Sequence, residues 1–262
     1  MSTMFRNSYY GRVQGHKRRR YSTKKGKSAK RGFRRYGAFT STKAISRYLK
    51  PKGTVWVNSN SGAYPESCIV TLPYVETVQV TTTSGVGGFY VFSGNSLFDP
   101  NITGTGHQPF AFDTWSELFG RYCVYGSAIE VQVTPQATAS VDNYTVKYCV
   151  NPFTFTTGLS SVGVDAQSEF PHAKSKYCTV YQQNSSDNLK HYMSTAKVFG
   201  VSNNIVESDD LYSGTTSSSP SNQWGWWITL NDSLENGSFS YWIRVKIRYY
   251  AKMYKPGLQT QS

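Results

Sequence analysis

The most constraining feature of the sequence is a run of basic residues at its N-terminus that has no acidic counterpart. Residues 1–52 contain 17 Lys and Arg and no Asp or Glu, whereas residues 53–262 contain 11 basic and 15 acidic residues. Burying an unpaired charge is very costly, and a block of like charges repels itself into an open chain. Residues 1–36 are therefore expected to be disordered unless a partner orders them, and residues 40–52 to form a short helical linker. The sequence predicts a basic arm over residues 1–52 and a single domain over residues 53–262.

The second part has the composition and the turn signals of an all-β domain. It is rich in the β-branched and aromatic residues of strands and in the Gly, Ser, Asn and Pro of turns. One helix is expected at 112–121, capped by Asp113, and long loops at 151–175 and 203–221. The pattern favours a sandwich or a barrel over an α/β enzyme. The predicted strands are 68–82 (kinked at Pro73), 88–93, 122–134, 141–150, 176–181, 195–201, 223–231 and 239–254.

The last predicted strand has one basic face and one apolar face. Its alternate residues are Trp242, Arg244, Lys246 and Arg248, with Lys252 further on, and the residues between them are apolar. Successive side chains of a strand point to opposite faces of the sheet. Two interpretations stay open: the basic residues form a solvated sheet face, or they form a second nucleic-acid contact surface that acts with the arm.

No spacing of residues in the sequence predicts enzyme chemistry. The four histidines have no metal-ligand spacing, and neither a phosphate-binding glycine loop nor a nucleophile motif is present. We therefore expect no catalytic residue, no metal site and no cofactor, and we do not expect an enzyme. Two alternatives are a catalytic His107 paired with Asp99 or Asp113, and a Ca²⁺ ion held between subunits by the acidic segment 207–210.

The cysteines and the hydropathy pattern limit the remaining possibilities. Cys68, Cys123, Cys149 and Cys178 are widely spaced in strand-like segments, so buried free thiols are expected, with a disulfide pair as the less favoured alternative. No secretory signal is expected at the N-terminus. The longest strongly apolar run, 224–230, is far shorter than the roughly 20 residues that cross a bilayer, so no membrane span is expected.

The arm has the composition of a segment that binds single-stranded nucleic acid. Its basic residues are interleaved with Phe and Tyr, and in such segments the cations contact phosphates while the rings stack on bases. Nothing in the arm predicts base-specific recognition, so binding is expected to tolerate any sequence. The predicted nucleic-acid-binding residues are Arg6, Arg12, Lys17, Arg18, Arg19, Arg20, Lys24, Lys25, Lys27, Lys30, Arg31, Arg34 and Arg35 in the arm, and Arg244, Lys246 and Arg248 in the last strand.

One segment adds a more specific signal. Residues 94–133, GNSLFDPNITGTGHQPFAFDTWSELFGRYCVYGSAIEVQV, resemble a segment in the capsid proteins of circular Rep-encoding single-stranded DNA viruses (circovirus-like). The arm followed by a β-rich domain resembles the layout of those proteins over the whole chain. The matching positions are Leu97, Phe98, Asp99, Pro100, Gly104, Gly106, His107, Gln108, Pro109, Phe112, Asp113, Trp115, Tyr122, Gly126 and Ser127.

The resemblance implies a fold, an assembly and a set of partners. The implied fold is an all-β, eight-stranded viral jelly roll of two packed four-stranded antiparallel sheets, with a disordered basic N-terminal arm. Many copies would close an icosahedral shell around a single-stranded DNA genome, with the segment 94–133 serving the fold and subunit contacts. The implied location is the virion, and the host nucleus during assembly, and the identity of a host cell-surface receptor does not follow from the sequence. The arm would also be a nuclear localisation signal for a host nuclear import receptor, formed by Lys17, Arg18, Arg19, Arg20, Lys24, Lys25, Lys30 and Arg31.

Three other classes of protein share part of this pattern. The coat protein of a small single-stranded RNA virus would have the same fold and arm. A cellular nucleic-acid-binding protein with a β-sandwich domain would have the charge pattern, but it would stay small rather than form particles. A carbohydrate-binding or hydrolytic sandwich would need a secretion signal or a pair of carboxylates in a cleft, and neither is evident in the sequence.

Overall fold

A computed structural model describes residues 56–58, 65–82, 87–135, 145–154, 162–179, 188–232 and 238–256. Within these ranges the helical segments are short: α1 (Phe112–Leu118), α2 (Val164–Ser168), α3 (Thr195–Phe199), α4 (Asn203–Ser208) and a 3₁₀ turn at Asp210–Tyr212. The strands are β1 (Trp56–Asn58), β2 (Ser67–Thr81), β3 (Gly88–Ser93), β4 (Phe119–Pro135), β5 (Thr145–Thr154), β6 (Lys174–Thr179), β7 (Leu189–Ser194), β8 (Ser213–Thr215), β9 (Trp224–Asp232) and β10 (Ser240–Pro256).

The strands form two antiparallel sheets. The β10 sheet has the order β1-β2-β10-β4-β7 with β8 paired to β4, and the β9 sheet has the order β3-β9-β5-β6. Because β1 and β8 have only three residues each, the body of the β10 sheet is the four strands β2-β10-β4-β7. Among the eight longer strands, the first pairs with the last, the second with the seventh, the third with the sixth and the fourth with the fifth.

This nested pairing is the topology of a jelly roll, in which one long antiparallel hairpin is rolled onto itself. The predicted fold class, two packed four-stranded antiparallel sheets, is therefore confirmed, with the short β1 and β8 as additions to the β10 sheet. The arm that completes the prediction, residues 1–52, lies outside the described residues.

Alternation along β10 fixes which face of its sheet lies in the core. Ile243, Val245 and Ile247 are at most 1% exposed, and each such burial contributes roughly 1.5–3 kcal/mol relative to an exposed side chain. The residues between them are exposed and mostly basic. A slip of one residue in the pairing with β2 and β4 would place those cations in the core, so the register is strongly specified.

Strand β9 is buried on both faces, which accounts for its continuous apolar sequence. Trp224 and Trp226 lie in the core between the sheets, and their rings are 5.2 Å apart. On the outer face, Trp227 packs in a second cluster beneath the segment that contains α2. A 2.7 Å ion pair between Lys147 on β5 and Asp165 on α2 joins that segment to the sheet. The other members of the outer cluster are Val91, Phe153, Val162 and Phe170.

Pro73 lies within β2 without interrupting it. The pairing of β2 with β10 runs from Thr81 to Ser67 with no shift of register at Pro73. The Pro73 carbonyl oxygen accepts a 3.0 Å hydrogen bond from the Phe110 amide, so the backbone of Pro73 faces away from β10. A proline is tolerated there because that side of the strand needs no N–H donor for the ladder.

The predicted helix at 112–121 is shorter than expected, and its predicted cap is wrong. Helix α1 ends at Leu118, and Phe119 already begins β4. The N-cap position is Ala111, in the left-handed region at φ 67°, and no side chain caps the helix. Asp113 lies inside the first turn, so it cannot occupy the cap position.

The predicted strand at 195–201 is also wrong, because Thr195–Phe199 forms helix α3. Thr195 and Val198 are β-branched, and this suggested a strand. Helix signals at both ends override that preference: the Ser194 hydroxyl accepts from the Lys197 amide, and Gly200 ends the helix at φ 68°. The strand of this region is β7, directly before the helix.

The two predicted loops contain secondary structure, so the expectation of one helix is corrected as well. Segment 203–221 holds α4, the 3₁₀ turn and β8, and segment 151–175 holds α2, the end of β5 and the start of β6. Strands β5 and β6 begin or end up to four residues away from their predicted bounds. Residues 141–144 and 180–181 of those two predictions lie outside the described residues.

Candidate nucleic-acid interface

The described part of the predicted interface consists of three residues on β10. The predicted residues of the arm lie outside the described residues, and these include the whole predicted nuclear localisation signal and the linker 40–52. The arm residues concerned are Arg6, Arg12, Lys17, Arg18, Arg19, Arg20, Lys24, Lys25, Lys27, Lys30, Arg31, Arg34 and Arg35. The residues that remain are Arg244, Lys246 and Arg248, called the basic stripe from here on.

Strand β10 places the basic stripe on the outward face of its sheet. The three cations and Trp242 are exposed, while every residue between them is buried. Alternate residues of a strand lie about 6.8 Å apart, so the three cations form a row about 14 Å long. Lys252 does not extend the row as an exposed cation, because it is partly buried and its Nζ lies 3.2 Å from Glu207 Oε2.

In the described ranges, one carboxylate, Glu130 on β4, faces the basic stripe. In the sheet register it lies between Lys246 on β10 and Lys190 on β7. Its Oε1 accepts a 2.6 Å hydrogen bond from Asn188 Nδ2, and its Oε2 lies 3.7 Å from Lys190 Nζ. The Asn188 hydrogen bond and the charges of Lys190 and Lys246 lower the pKa of Glu130. Glu130 is therefore ionised at neutral pH and offsets one of its two basic neighbours.

Arg244 and Arg248 have no acidic partner in the described part of the chain. Like charges held side by side on a sheet repel one another, and this repulsion is relieved when a polyanion lies over them. The register neighbours of the two arginines on β2 and β4 carry no charge: Thr77, Gln132, Pro73 and Ala128.

Tyr122 anchors the L-F-D-P part of the segment 94–133. Its side chain is 1% exposed, and its hydroxyl accepts from the Leu97 amide at 3.2 Å and the Phe98 amide at 3.3 Å. The same hydroxyl donates to the Ser218 carbonyl oxygen at 3.3 Å. Burial raises the pKa of Tyr122, so the hydroxyl stays protonated. This part of the segment therefore serves the fold.

His107 fixes the G-x-G-H-Q-P part of the segment against the edge of β2. Its Nε2 lies 3.1 Å from the Val75 carbonyl oxygen and its Nδ1 lies 2.7 Å from the Gln108 carbonyl oxygen. Both ring nitrogens therefore face backbone acceptors. The catalytic pairing of His107 with Asp99 or Asp113 is not formed.

Gly106, next to His107, is required by close packing. A Cβ atom at this position would lie 2.6 Å from Asn101 Cβ and 2.7 Å from the Tyr74 hydroxyl. Asn101 is fully buried, and its Nδ2 donates to both Glu76 carboxylate oxygens at 2.9 and 3.0 Å. The glycine therefore lets the loop close over a buried polar network that begins on β2.

The acidic segment 207–210 uses its carboxylates within the chain. Tyr125 and Lys252 both donate to Glu207, and Arg121 forms an ion pair with Asp210 that lowers the pKa of that carboxyl. Asp209 Oδ1 accepts from the Leu211 amide at 2.9 Å. Among the described residues, no group of three His, Cys, Asp or Glu side chains could hold a metal ion. The Ca²⁺ alternative therefore finds no preformed site in this segment.

The four cysteines are free and buried, which confirms the prediction of buried thiols. Burial raises the pKa of the Cys123 thiol to about 12 and that of Cys149 to about 11. Thiols this far from ionisation at neutral pH are poor nucleophiles. No helix among the described residues is long and apolar enough to cross a membrane.

Two further exposed residues, Lys190 and Tyr192, lie on the face that carries the basic stripe. They are not among the residues predicted from the sequence. Both lie on β7, opposite Glu130 and Ala128 of β4. The sequence predicts the strand of this region at 195–201, which leaves both residues outside any predicted element. The signal that could have found them is the pair of apolar residues Leu189 and Met193, which lie four positions apart and are both buried.

Comparisons with known proteins find distant matches among solved structures and none by sequence. No protein-family model matches the sequence, and no curated protein matches it. Similar solved structures include Desmodium yellow mottle tymovirus, at 10% identity and a TM-score of 0.37, covering 78% of this chain and 97% of that chain. The 60-mer BFDV capsid protein is 11% identical with a TM-score of 0.38, covering 76% of this chain and 100% of that chain.

A third solved structure is the semi-empty virus-like particle of Macrobrachium rosenbergii nodavirus. It is 9% identical with a TM-score of 0.42, and the match covers 77% of this chain and 100% of that chain. All three TM-scores are below 0.5, so these matches carry no argument. The fold assignment rests on the order and pairing of the strands.

Proposed function

We propose that this chain is a viral capsid protein that assembles into an icosahedral shell and packages a single-stranded DNA genome through its basic arm. The observation that carries the proposal is a jelly-roll domain in the same chain as an arm of 17 basic and no acidic residues. A shell domain supplies closed, repeating contacts between copies, and the arm supplies the charge that a packaged genome needs. The segment 94–133 supports the choice of DNA through its resemblance alone.

The electrostatics of the two parts suit this division of work. An arm with 17 positive charges offsets up to about 17 phosphates. For single strands the log–log salt slope is about −0.7 for each neutralised phosphate, which gives a limit of about −12 for the arm. Genome binding should therefore weaken steeply with salt. Residues 53–262 carry slightly more acidic than basic residues, so copies of this domain can meet without strong repulsion.

The first experiment is electron microscopy of the purified full-length protein, with the ratio of absorbance at 260 and 280 nm. Closed shells that contain nucleic acid support the proposal. A small soluble species that binds nucleic acid without forming particles would favour the cellular nucleic-acid-binding alternative. Digestion of the extracted nucleic acid with DNase or RNase separates the DNA-virus proposal from the coat protein of an RNA virus.

A full-length variant tests the arm. Changing Lys17, Arg18, Arg19, Arg20, Lys24 and Lys25 to Gln keeps the length of the arm and removes six charges. We expect shells with less nucleic acid and a smaller salt slope. Nucleic-acid content equal to that of the unchanged protein would contradict a packaging role for the arm.

Nuclear import is the second proposed role of the arm. Residues 1–36 fused to a fluorescent reporter should bring it to the nucleus, and the same fusion with the six Gln changes should leave it in the cytoplasm. If the reporter with the unchanged arm stays in the cytoplasm, the arm has no import role, and genome binding is its one remaining proposed role.

A further inference from the structure

The outward face of the β10 sheet forms a regular grid of side chains. The register places Lys190, Glu130 and Lys246 in one row across β7, β4 and β10, and Tyr192, Ala128 and Arg248 in the next row. Residues that are paired in this way point to the same face of the sheet. Among the described residues, Lys190 and the basic stripe make four cations on this face against the single carboxylate of Glu130.

Two exposed aromatic rings lie at opposite ends of this grid. Trp242 is 43% exposed and lies two residues before Arg244, next to Gln79 and Thr134. Tyr192 is 42% exposed and shares its row with Arg248. From Trp242 to Arg248 the strand extends about 20 Å. The cations therefore lie between two rings that water can reach.

We propose that this face is a second binding site for single-stranded nucleic acid, separate from the arm. Arg244, Lys246, Arg248 and Lys190 contact phosphates, and Trp242 and Tyr192 stack on bases. The proposal rests on the proposed function, since it assumes that the chain meets nucleic acid. In this proposal the folded domain itself binds nucleic acid, and the bound single strand lies flat against the outward face of the β10 sheet.

The composition of the face favours a single strand over other polyanions. A row of cations that follows the backbone, with aromatic rings on which bases stack, is the pattern of proteins that bind single strands without sequence preference. Bases stacked inside a duplex would not reach Trp242 or Tyr192. An acidic surface of a second copy would use the cations, but it would leave both rings without a role.

Photo-crosslinking to the full-length protein tests the site directly, because it reports position even when the arm binds more tightly. The probes are oligo(dT) and oligo(rU) of equal length that carry 5-iodouracil, and the crosslinked residues are mapped by mass spectrometry. We expect crosslinks at Trp242 and Tyr192 in addition to those in the arm. Crosslinks with both probes identify a site for either nucleic acid, and crosslinks with one probe identify its sugar preference.

A matched pair of variants links the crosslinks to the charges. The double variant Arg244→Gln, Arg248→Gln should reduce crosslinking at Trp242 at least fivefold and leave the crosslinks in the arm unchanged. The control Lys197→Gln, Lys255→Gln removes the same charge from exposed lysines outside the grid, and it should not change crosslinking at Trp242. The log–log salt slope for binding oligo(dT) should become less steep by about 1.4 in the first variant, and it should not change in the control.

Three results would overturn the proposal: crosslinks confined to the arm, equal loss in both double variants, or chemical crosslinks that join Lys190 or Lys246 to acidic residues of a second copy. Failure of the proposed function would look different. In that case the protein would form no particles and would carry no nucleic acid, whatever the crosslinks at Trp242.

Discussion

Trp226 on β9 donates a 2.9 Å hydrogen bond from its indole Nε1 to Ser127 Oγ on β4, across the core between the two sheets. Ser127 in turn donates to the Gly94 carbonyl oxygen at 2.8 Å. Trp226 and Ser127 are both fully buried. Gly94 and Ser127 both belong to the segment 94–133, so this pattern in the sequence marks a polar connection inside an otherwise apolar sandwich.

The first prediction concerns this connection. Ser127→Ala leaves the indole N–H of Trp226 and the Gly94 carbonyl oxygen without their partner in the core, and we expect a loss of about 1–3 kcal/mol in the free energy of unfolding. Urea unfolding followed by tryptophan fluorescence measures it. Thr71→Ala, at an exposed position of β2, is the control and should change the midpoint little. Equal midpoints for the two variants would mean that the bond adds no stability.

The Tyr122 hydroxyl gives a second prediction. Tyr122→Phe keeps the buried ring but leaves the amides of Leu97 and Phe98 without their acceptor. We expect destabilisation of about 1–3 kcal/mol, because the buried donors lose their partner and water cannot replace it. Tyr177→Phe removes a hydroxyl from a side chain that is 62% exposed, and it should unfold like the unchanged protein. A Tyr122→Phe protein as stable as that control would contradict the anchoring role.

Much of the fold could be predicted because apolar and polar residues alternate along long strands such as β10. β10 has a buried residue at every second position from Tyr241 to Tyr249, so both its existence and its faces are visible in the sequence. The short helices could not be predicted in the same way. In α3 the deciding groups are the Ser194 cap and Gly200, and these outweigh the β-branched residues between them.

The candidate site also has a part that could be predicted from the sequence and a part that could not. The basic stripe lies within one strand, so alternation alone places its residues on one face. Lys190 and Tyr192 come to that face only through the pairing of β7 with β4, which joins residues about sixty positions apart. Such long-range pairing depends on the rolled topology, and no local pattern in the sequence specifies it.

A third prediction separates two aromatic residues of α1. Phe112 is 1% exposed and its ring packs edge-on against Tyr122 at 5.6 Å. Trp115 is only partly buried and stacks on Phe119 at 6.3 Å. Phe112→Ala should cost about 3–5 kcal/mol in the free energy of unfolding, and Trp115→Ala clearly less, because a partly exposed site loses fewer contacts. Denaturant unfolding of both variants ranks them, and the reverse order would contradict the helix packing described above.

A fourth prediction concerns contact between copies and rests on the proposed capsid function. Phe110 is 78% exposed, although its backbone is held to Pro73 at the edge of β2. In the proposed shell we expect this ring to contact a second copy, because removing an exposed apolar side chain from water is favourable. Phe110→Ser should lower the yield of particles in electron microscopy and leave the unfolding midpoint unchanged, and Phe110→Leu should restore assembly in part. Normal particle yield with Ser would assign Phe110 no role in assembly.

The last prediction concerns pH and His191. The His191 Nδ1 accepts from the Tyr192 amide at 2.9 Å and its Nε2 donates to the His172 carbonyl oxygen at 2.6 Å, so the neutral ring is fully paired. Burial lowers the pKa of His191 below its ordinary 6.5, and the nearby charges of Lys174, His172 and Lys197 act in the same direction. A proton on this ring would break the bond to Tyr192 and add a charge among lysines.

The sign of the effect follows from the lowered pKa. Above about pH 6.5 the ring is neutral in the folded and the unfolded chain, so His191 adds no pH dependence. As the pH falls below that value the unfolded chain binds the proton first, and stability decreases until the pH passes the folded pKa. The midpoint temperature of thermal unfolding should therefore fall more steeply between pH 7.5 and 5 for the unchanged protein than for His191→Gln. The variant His172→Asn keeps the carbonyl acceptor of His191 but removes one of the nearby charges, so its slope should lie between those of His191→Gln and the unchanged protein. If His191→Gln keeps the slope of the unchanged protein, the acid sensitivity arises elsewhere in the chain.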